Sequence, residues 1–363
     1  MTAFATDSHT AAEFRAAVES TAVFPNQAGR LKLVGEDARD LLNRLSTNLI
    51  DPDAAPGSVV ATVLTSDRGR IVDLVYVAHC GDHQLLLTSP GQQQAVIEFL
   101  DKYTIMEELE VEDVSEQLTM LTVTGPEAVK VVQQVTGLDA SELTTPAVRT
   151  VNVDGNDSAV SLIVPPADPA TGRERMGFHL VALDAAGASS LTAALADAGA
   201  VQISADTAEV LRIARQQPLY GAEMSETYNP LEAGLIGAID FHKGCYIGQE
   251  VIARLDTYEK VQKYLVALRF ETQNDGDNVT DALDGARLVD GDGKAMGLVT
   301  STTVVPAPGG ESVIGLGYVR TVAAEIGNAL DVVAENGEVP SGIKGHITAR
   351  PQLFGGEKPM LGE

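Results

Sequence analysis

The chain has 363 residues, a formal charge of −26 at pH 7, 44% hydrophobic residues and a mean hydropathy of +0.05. That length exceeds what one ordinary core fills, so two or three domains are expected, and the apolar content excludes wholesale disorder. A negative field of this size argues against nucleic-acid binding, which needs clustered Lys and Arg. The acid excess fits either a solvated acidic surface or a chain from a high-salt cytoplasm.

The stretch closest to a membrane span, Val181 to Val201, is broken by Asp184 and Asp197. The N-terminus has neither the basic nor the apolar region of a signal peptide, so a cytoplasmic protein without membrane contact is expected. The two cysteines, Cys80 and Cys245, are expected to be free thiols. Two thiols cannot supply an ordinary iron–sulfur cluster or a structural zinc site, so no metal is expected.

In chain order, the pattern predicts a helix over Ala11–Val23 and a strand over Arg30–Val34. A second helix follows over Ala38–Leu49, with Leu41, Leu42, Leu45 and Leu49 at helical spacing and Asp37 as N-cap. Val59–Leu64, Arg70–Val77 and Gln84–Thr88 read as strands joined by the turns Ser66–Gly69 and Cys80–Asp82. A helix over Gly91–Tyr103 and a strand near Leu118–Val123 come next, and a helix begins at Glu127. Pro165–Gly172 reads as an exposed loop, Gly177–Val181 as a strand, and Ala185–Ala198 and Asp206–Arg215 as helices. From Leu265 short strands alternate with Gly-rich turns, including the polar turn Gln273–Asn278, as in a small barrel or sandwich. The order of elements implies α+β layers rather than a doubly wound sheet.

The segment richest in chemistry is Lys243-Gly244-Cys245-Tyr246-Ile247-Gly248-Gln249-Glu250. Two glycines flank a cysteine, which allows positive φ or close approach of the backbone to a ligand. A helix is expected to start near Gln249, placing Cys245 ahead of a helix N-terminus with Lys243 nearby, and both features favour thiolate. A small cysteine in a tight turn beside a solvated lysine is the plainer alternative.

This string is similar to the signature of the YgfZ family, folate-binding proteins of iron–sulfur cluster maintenance within the glycine-cleavage T-protein (aminomethyltransferase) superfamily. The resemblance extends to Leu211–Met224 and Tyr228–Leu235, to Arg68–Leu74, and to Met296–Ser301 and Ile314–Val319 near the C-terminus. It implies a ring-like three-domain α+β fold with a small C-terminal β-barrel and tetrahydrofolate, or a one-carbon derivative, in a central channel. The implied domains are 1–52 with about 117–205, 53–116 with about 206–262, and 263–363.

By the same resemblance Asp73 stands where an acid lies beside the reactive nitrogens of the folate, suited to proton transfer or electrostatic partnership. The second acid of that pair is Leu74 here, which weighs against aminomethyl transfer. Arg212 matches a family arginine whose fork could hold Asp73 or the ligand's glutamyl tail; pairing with Glu209 or Asp206 is the plainer reading. The pterin-reading carboxylate is missing from the run Glu174–His179, unless Glu174 serves after a one-residue shift. Phe178, Tyr220, Glu223, Tyr246, Gln249, Glu250 and Arg254 complete the implied folate-binding set, with Cys245, Lys243 and Asp73 as the reactive groups.

Three functions stay open on this basis. One is a folate-binding accessory factor for assembly or repair of iron–sulfur enzymes, with client or assembly proteins as partners. The second is a folate-dependent aminomethyltransferase, and the third a non-catalytic scaffold of the same fold.

Overall fold

The computed structural model describes residues 8–153, 159–165, 177–271, 280–307, 310–333 and 342–354. Helix α1 (Ser8–Glu19) leads into strands β1 (Ala22–Pro25) and β2 (Gly29–Val34), then helix α2 (Ala38–Leu45). Strands β3 (Val59–Thr65), β4 (Ile71–His79) and β5 (Gln84–Thr88) precede α3 (Gln93–Tyr103), β6 (Glu110–Asp113), β7 (Thr119–Thr124) and α4 (Ala128–Thr136). Strands β8 (Ala147–Asn152), β9 (Ala159–Val164) and β10 (Phe178–Ala182) come next, followed by α5 (Ala185–Asp197), β11 (Val201–Gln202), α6 (Ala205–Ala214) and α7 (Gln249–Thr257). The C-terminal part holds β12 (Lys263–Glu271), α8 (Thr280–Leu283), β13 (Arg287–Val289), β14 (Ala295–Ala307), β15 (Gly310–Arg320), β16 (Ala329–Val333) and β17 (Lys344–Ala349).

One open sheet has the order β11-β1-β7-β10-β9-β8 and a second β3-β4-β5-β2-β6, while β12-β15-β14-β13-β16-β17 close a barrel. Strand alternation explains how the two open sheets stack. On β4, Val75 and Val77 pack with α2 and α3 residues such as Leu41, Leu42 and Val96. The intervening Tyr76 and Ala78 meet Met120, Val148, Ile163 and Val181 of the other sheet. On β10, Phe178 and Leu180 face α4 and α5 instead. Helices, two sheets and helices thus form successive layers.

The segment after α6 fastens these layers to the barrel. Met224, Tyr228, Ala233 and Leu235 share a core with Ile71 and Leu74 of β4 and with Leu265, Leu316 and Tyr318 of the barrel. Tyr228 and Tyr318 stack with ring centroids 3.8 Å apart and planes 9° apart.

Several elements differ from the sequence reading. Ala22–Val23 belongs to β1, paired with β7, and not to the first helix, because the apolar pair is buried between sheet partners. α2 ends at Leu45 and leaves Leu49 exposed. Asp37 makes no side-chain cap; its Oδ2 accepts from the Glu108 backbone N–H at 2.8 Å. The chain crosses from one sheet to the other between Pro25 and Gly29, not near residue 52, since β2 pairs with β5 and β6. The strands β8 and β9 carry no alternation clear enough to have been read. Most of the Pro165–Gly172 loop and the Gln273–Asn278 turn lie outside the described residues. Among the described residues no helix is long and apolar enough to cross a membrane.

Candidate functional site

A cavity of about 310 Å³ opens where the two sheets meet α6. Its walls are Phe24 and Met120 from one sheet, Leu74, Tyr76 and Leu87 from the other, and Leu219 and Met224 from the segment after α6. The polar side chains along it include Asn26, Gln27, Thr88, Ser89, Thr122, His179, Glu209, Arg212 and Gln217.

His179 is the informative one. Its ring is 5% exposed, and burial pushes its pKa down to about 4, so the imidazole is neutral at pH 7. Asn26 Nδ2 donates to Thr122 Oγ1 at 2.8 Å, and Thr122 Oγ1 lies 3.0 Å from His179 Nδ1. With the Thr122 hydroxyl as donor, its hydrogen goes to Nδ1. A neutral imidazole that accepts at Nδ1 carries its proton on Nε2. His179 therefore offers an N–H on a ring that lines the cavity. No sequence motif marked it, and its strand neighbour Phe178 was read as the ligand contact. The alternation of β10 decides the matter: Phe178 is buried against α4 and α5 and His179 faces the cavity.

Asp73 stands one step behind the cavity wall, fully buried. Its Oδ1 accepts from Leu74 N and its Oδ2 from Ser89 N, each at 2.9 Å, and both donors belong to cavity-lining residues. Burial raises its pKa to about 6, against the lowering effect of these hydrogen bonds. The native state therefore holds a proton that the unfolded chain gives up near its ordinary 3.8. The associated stability is fully present below 3.8 and is lost as pH rises through about 6. Relative to Asp73→Asn, whose state does not titrate, the wild type should lose about 3 kcal/mol of stability between roughly pH 4 and 7. Urea denaturation across that range checks this; parallel profiles would mean that Asp73 is not displaced from its ordinary range.

Arg212 lines the cavity but has nothing left to offer a ligand. Nε and Nη2 bind the Glu209 carboxylate at 2.8 and 2.6 Å, Nη1 binds Gln217 O and Glu223 Oε2, and Nη2 binds Ser301 Oγ. All five N–H donors are used, so it holds neither Asp73 nor a glutamyl tail. Glu223, fully buried, joins this arginine to the barrel by accepting from Thr300 and Ser301 hydroxyls of β14. Tyr220, half-buried, packs at the edge of the core shared with Leu74 and senses the Asp73 charge. Glu174 lies outside the described residues.

The Lys243–Glu250 segment lies elsewhere, against the β3–β4 turn. Thr65 Oγ1 donates to Ile247 O at 2.6 Å. Gly248 has φ +83°, and a Cβ there would meet Ser66 O at 2.5 Å, so only glycine fits. Lys243 is buried, and its Nζ donates to the carbonyls of Asn43, Ser46 and Asn48 at 2.6, 2.9 and 2.7 Å. Burial lowers its pKa to about 8, opposed by Asp240, which leaves an ammonium at pH 7 whose three hydrogens match three carbonyls. The expected Lys243–Cys245 partnership is absent among the described contacts, because the ammonium closes the end of α2 instead. Cys245 is an exposed free thiol four residues before α7. Tyr246 is buried with Ile252 and Val261, and Gln249, Glu250 and Arg254 follow on α7. None of these lines the cavity around His179. Cys80 is also free, its thiol pushed up to about 11 by burial.

Residues 2–243 match the family model described as the GCVT N-terminal domain. An aminomethyltransferase of Picosynechococcus sp. is 29% identical over 317 residues, covering 86% of this chain and 82% of that protein. An Arabidopsis thaliana chloroplast protein assigned to the transferases is also 29% identical, covering 88% of this chain and 68% of its own. The solved aminomethyltransferase T of the glycine cleavage system from Bartonella henselae superposes with a TM-score of 0.76 at 19% identity, covering 94% of this chain and 88% of that one. The matched segment carries both open sheets and every residue of the cavity wall, and on that ground the chain belongs to the GCVT N-terminal domain family.

Proposed function

We propose that the chain binds a reduced folate through its heterocyclic head in the cavity between the two sheets, and that it serves iron–sulfur enzymes as an accessory factor. The observation that carries the first part is the cavity itself. Its volume is at the lower end for small-molecule sites, enough for a flat ring system with the remainder of a ligand leading outward. Its walls are mainly apolar and aromatic, and the Nε2–H of His179 suits a ring carbonyl or ring nitrogen of such a head. The apolar walls exclude water, which strengthens that hydrogen bond.

A reduced folate supplies ring nitrogens that carry one-carbon units. The chain's own contribution is to seat the ring and to hold a proton near neutral pH. Asp73, with its raised pKa, can take up or release that proton behind Ser89 and Leu74. The iron–sulfur role rests on the Lys243–Glu250 signature, whose Cys245 is exposed and open to a partner protein. The cavity is walled by both sheets, α6 and the segment after it, and the barrel contributes no residue to it.

Calorimetric titration with tetrahydrofolate tests the reading, and a wild type without affinity would overturn it. His179→Phe should weaken binding about tenfold, the worth of one buried hydrogen bond, and His179→Gln, which restores an N–H near Nε2, should recover most of it.

Aminomethyl transfer is the second reading. It is favoured by Asp73 beside the cavity and by relatives that carry the aminomethyltransferase name. Leu74, a cavity wall where the resemblance calls for a second acid, weighs against it. Incubation with aminomethylated lipoyl carrier protein and tetrahydrofolate decides, through release of ammonia.

A further inference from the structure

A second cavity, of about 330 Å³, lies between α7 and the barrel and shares no residue with the first. Its floor is apolar, formed by Leu231, Ile236, Leu255, Val261 and Leu265. On one side stand two buried carboxylates, Glu232 at 4% exposure and Asp256 at 9%, and the exposed Glu259 also lines the space. Glu232 Oε2 accepts from Asn229 N at 3.2 Å and lies 3.6 Å from Arg70, but among the described residues Oε1 has no hydrogen-bond partner. The Asp256 carboxylate has none on either oxygen among the described residues. Buried carboxylates left this way are costly unless a donor meets them.

Arg350 also lines the cavity. Its guanidinium lies 3.8 Å above the ring centroid of Tyr264, which stacks one face and leaves the N–H edge open. Among the described residues it has no carboxylate within 4 Å, although Asp256 and Glu232 line the same space. Opposite charges that share a cavity without touching leave a gap for something that carries both signs.

We infer that this cavity is a binding site for a small zwitterion with an apolar body, of the α-amino-acid class. The ammonium would meet Asp256 and the free oxygen of Glu232, the carboxylate would lie along the Arg350 edge, and the side chain would rest on Leu255, Val261 and Leu265. Burial raises the Glu232 pKa, against the lowering effect of the Asn229 backbone hydrogen bond, Lys263 and Arg70. The site stands independently of the folate reading, and it joins α7, which follows the Cys245 segment, to the barrel.

The test is calorimetric titration of the full chain with L-leucine and L-methionine, beside 3-methylbutylamine and 4-methylpentanoate as singly charged analogues. Saturable binding of at least one amino acid at millimolar concentration or below is expected, with both analogues about tenfold weaker or worse. Arg350→Gln and Asp256→Asn should each weaken the amino acid by about tenfold. Because Arg350 is exposed, its variant should melt like the wild type and suffices if Asp256→Asn fails to fold. No saturable signal from either amino acid, equal binding of an analogue, or unchanged affinity in Arg350→Gln would overturn the inference.

Discussion

Glu223→Ala should lower the free energy of unfolding by about 3–5 kcal/mol, a large part of a typical domain's total. The carboxylate is fully buried and accepts four hydrogen bonds, from Leu219 N, Arg212 Nη1, Thr300 Oγ1 and Ser301 Oγ, at 2.6 to 3.0 Å. Its backbone oxygen also accepts from the Tyr318 hydroxyl at 2.7 Å. Alanine leaves the Arg212 charge facing only Glu209, which is partly exposed, and orphans two hydroxyls on β14. The loss should be concentrated at the junction of α6 with the barrel, so hydrogen exchange of β14 should speed up before that of the two sheets. Urea denaturation gives the magnitude, and a loss below about 1 kcal/mol would mean that the junction does not depend on this carboxylate. A double variant, Arg212→Met with Glu223→Leu, should cost less than the sum of the single changes, because neither partner is then left charged and alone.

Lys243→Met should cost about 3 kcal/mol by the same measurement. Methionine fills a similar volume without a donor, leaving the carbonyls of Asn43, Ser46 and Asn48 unmet at the end of α2. The change also removes the cation lying 5.5 Å from the Tyr246 ring. The alkylation rate of Cys245 separates two roles for this lysine. With the ammonium spent on α2, the rate should change less than about twofold in a variant that stays folded. A lysine that activated the thiol would slow alkylation about tenfold or more on removal, in proportion to the thiolate lost.

Much of the layered architecture was legible because the signals are local. The β3, β4 and β5 strands are short, mainly apolar runs punctuated by turns, so hairpin pairing could be read directly. The short strands and Gly-rich turns after Leu265 left a small barrel or a sandwich open, and β12 to β17 close a barrel. Strand β1 was hidden inside what read as helix, since four residues give too few periods to distinguish the two. β6 is mostly exposed and charged, and it is a strand only because β2 offers it an edge.

The site was legible in its ingredients and not in its geometry. Lys243 and Cys245 could be singled out by the company they keep in the chain, whereas Asp73, Arg212 and Glu223 stood out only through the family resemblance. What each one touches is set by residues far away in sequence: Lys243 meets Asn43 at a separation of 200 residues, and Arg212 meets Ser301 at 89. Those long-range partners hold Arg212, expected at the ligand, and Lys243, expected at the Cys245 thiol, in structural ties. They also put His179 on a cavity wall that no motif announced, with Thr122, 57 residues away, deciding which ring nitrogen holds its proton. Residue types and local periodicity determined the α+β layers and a strand-rich C-terminal part, and the family resemblance supplied the barrel and the list of reactive groups. Only the tertiary structure decided which of those groups remain free to act, because a donor or a charge is available only when packing has not already satisfied it.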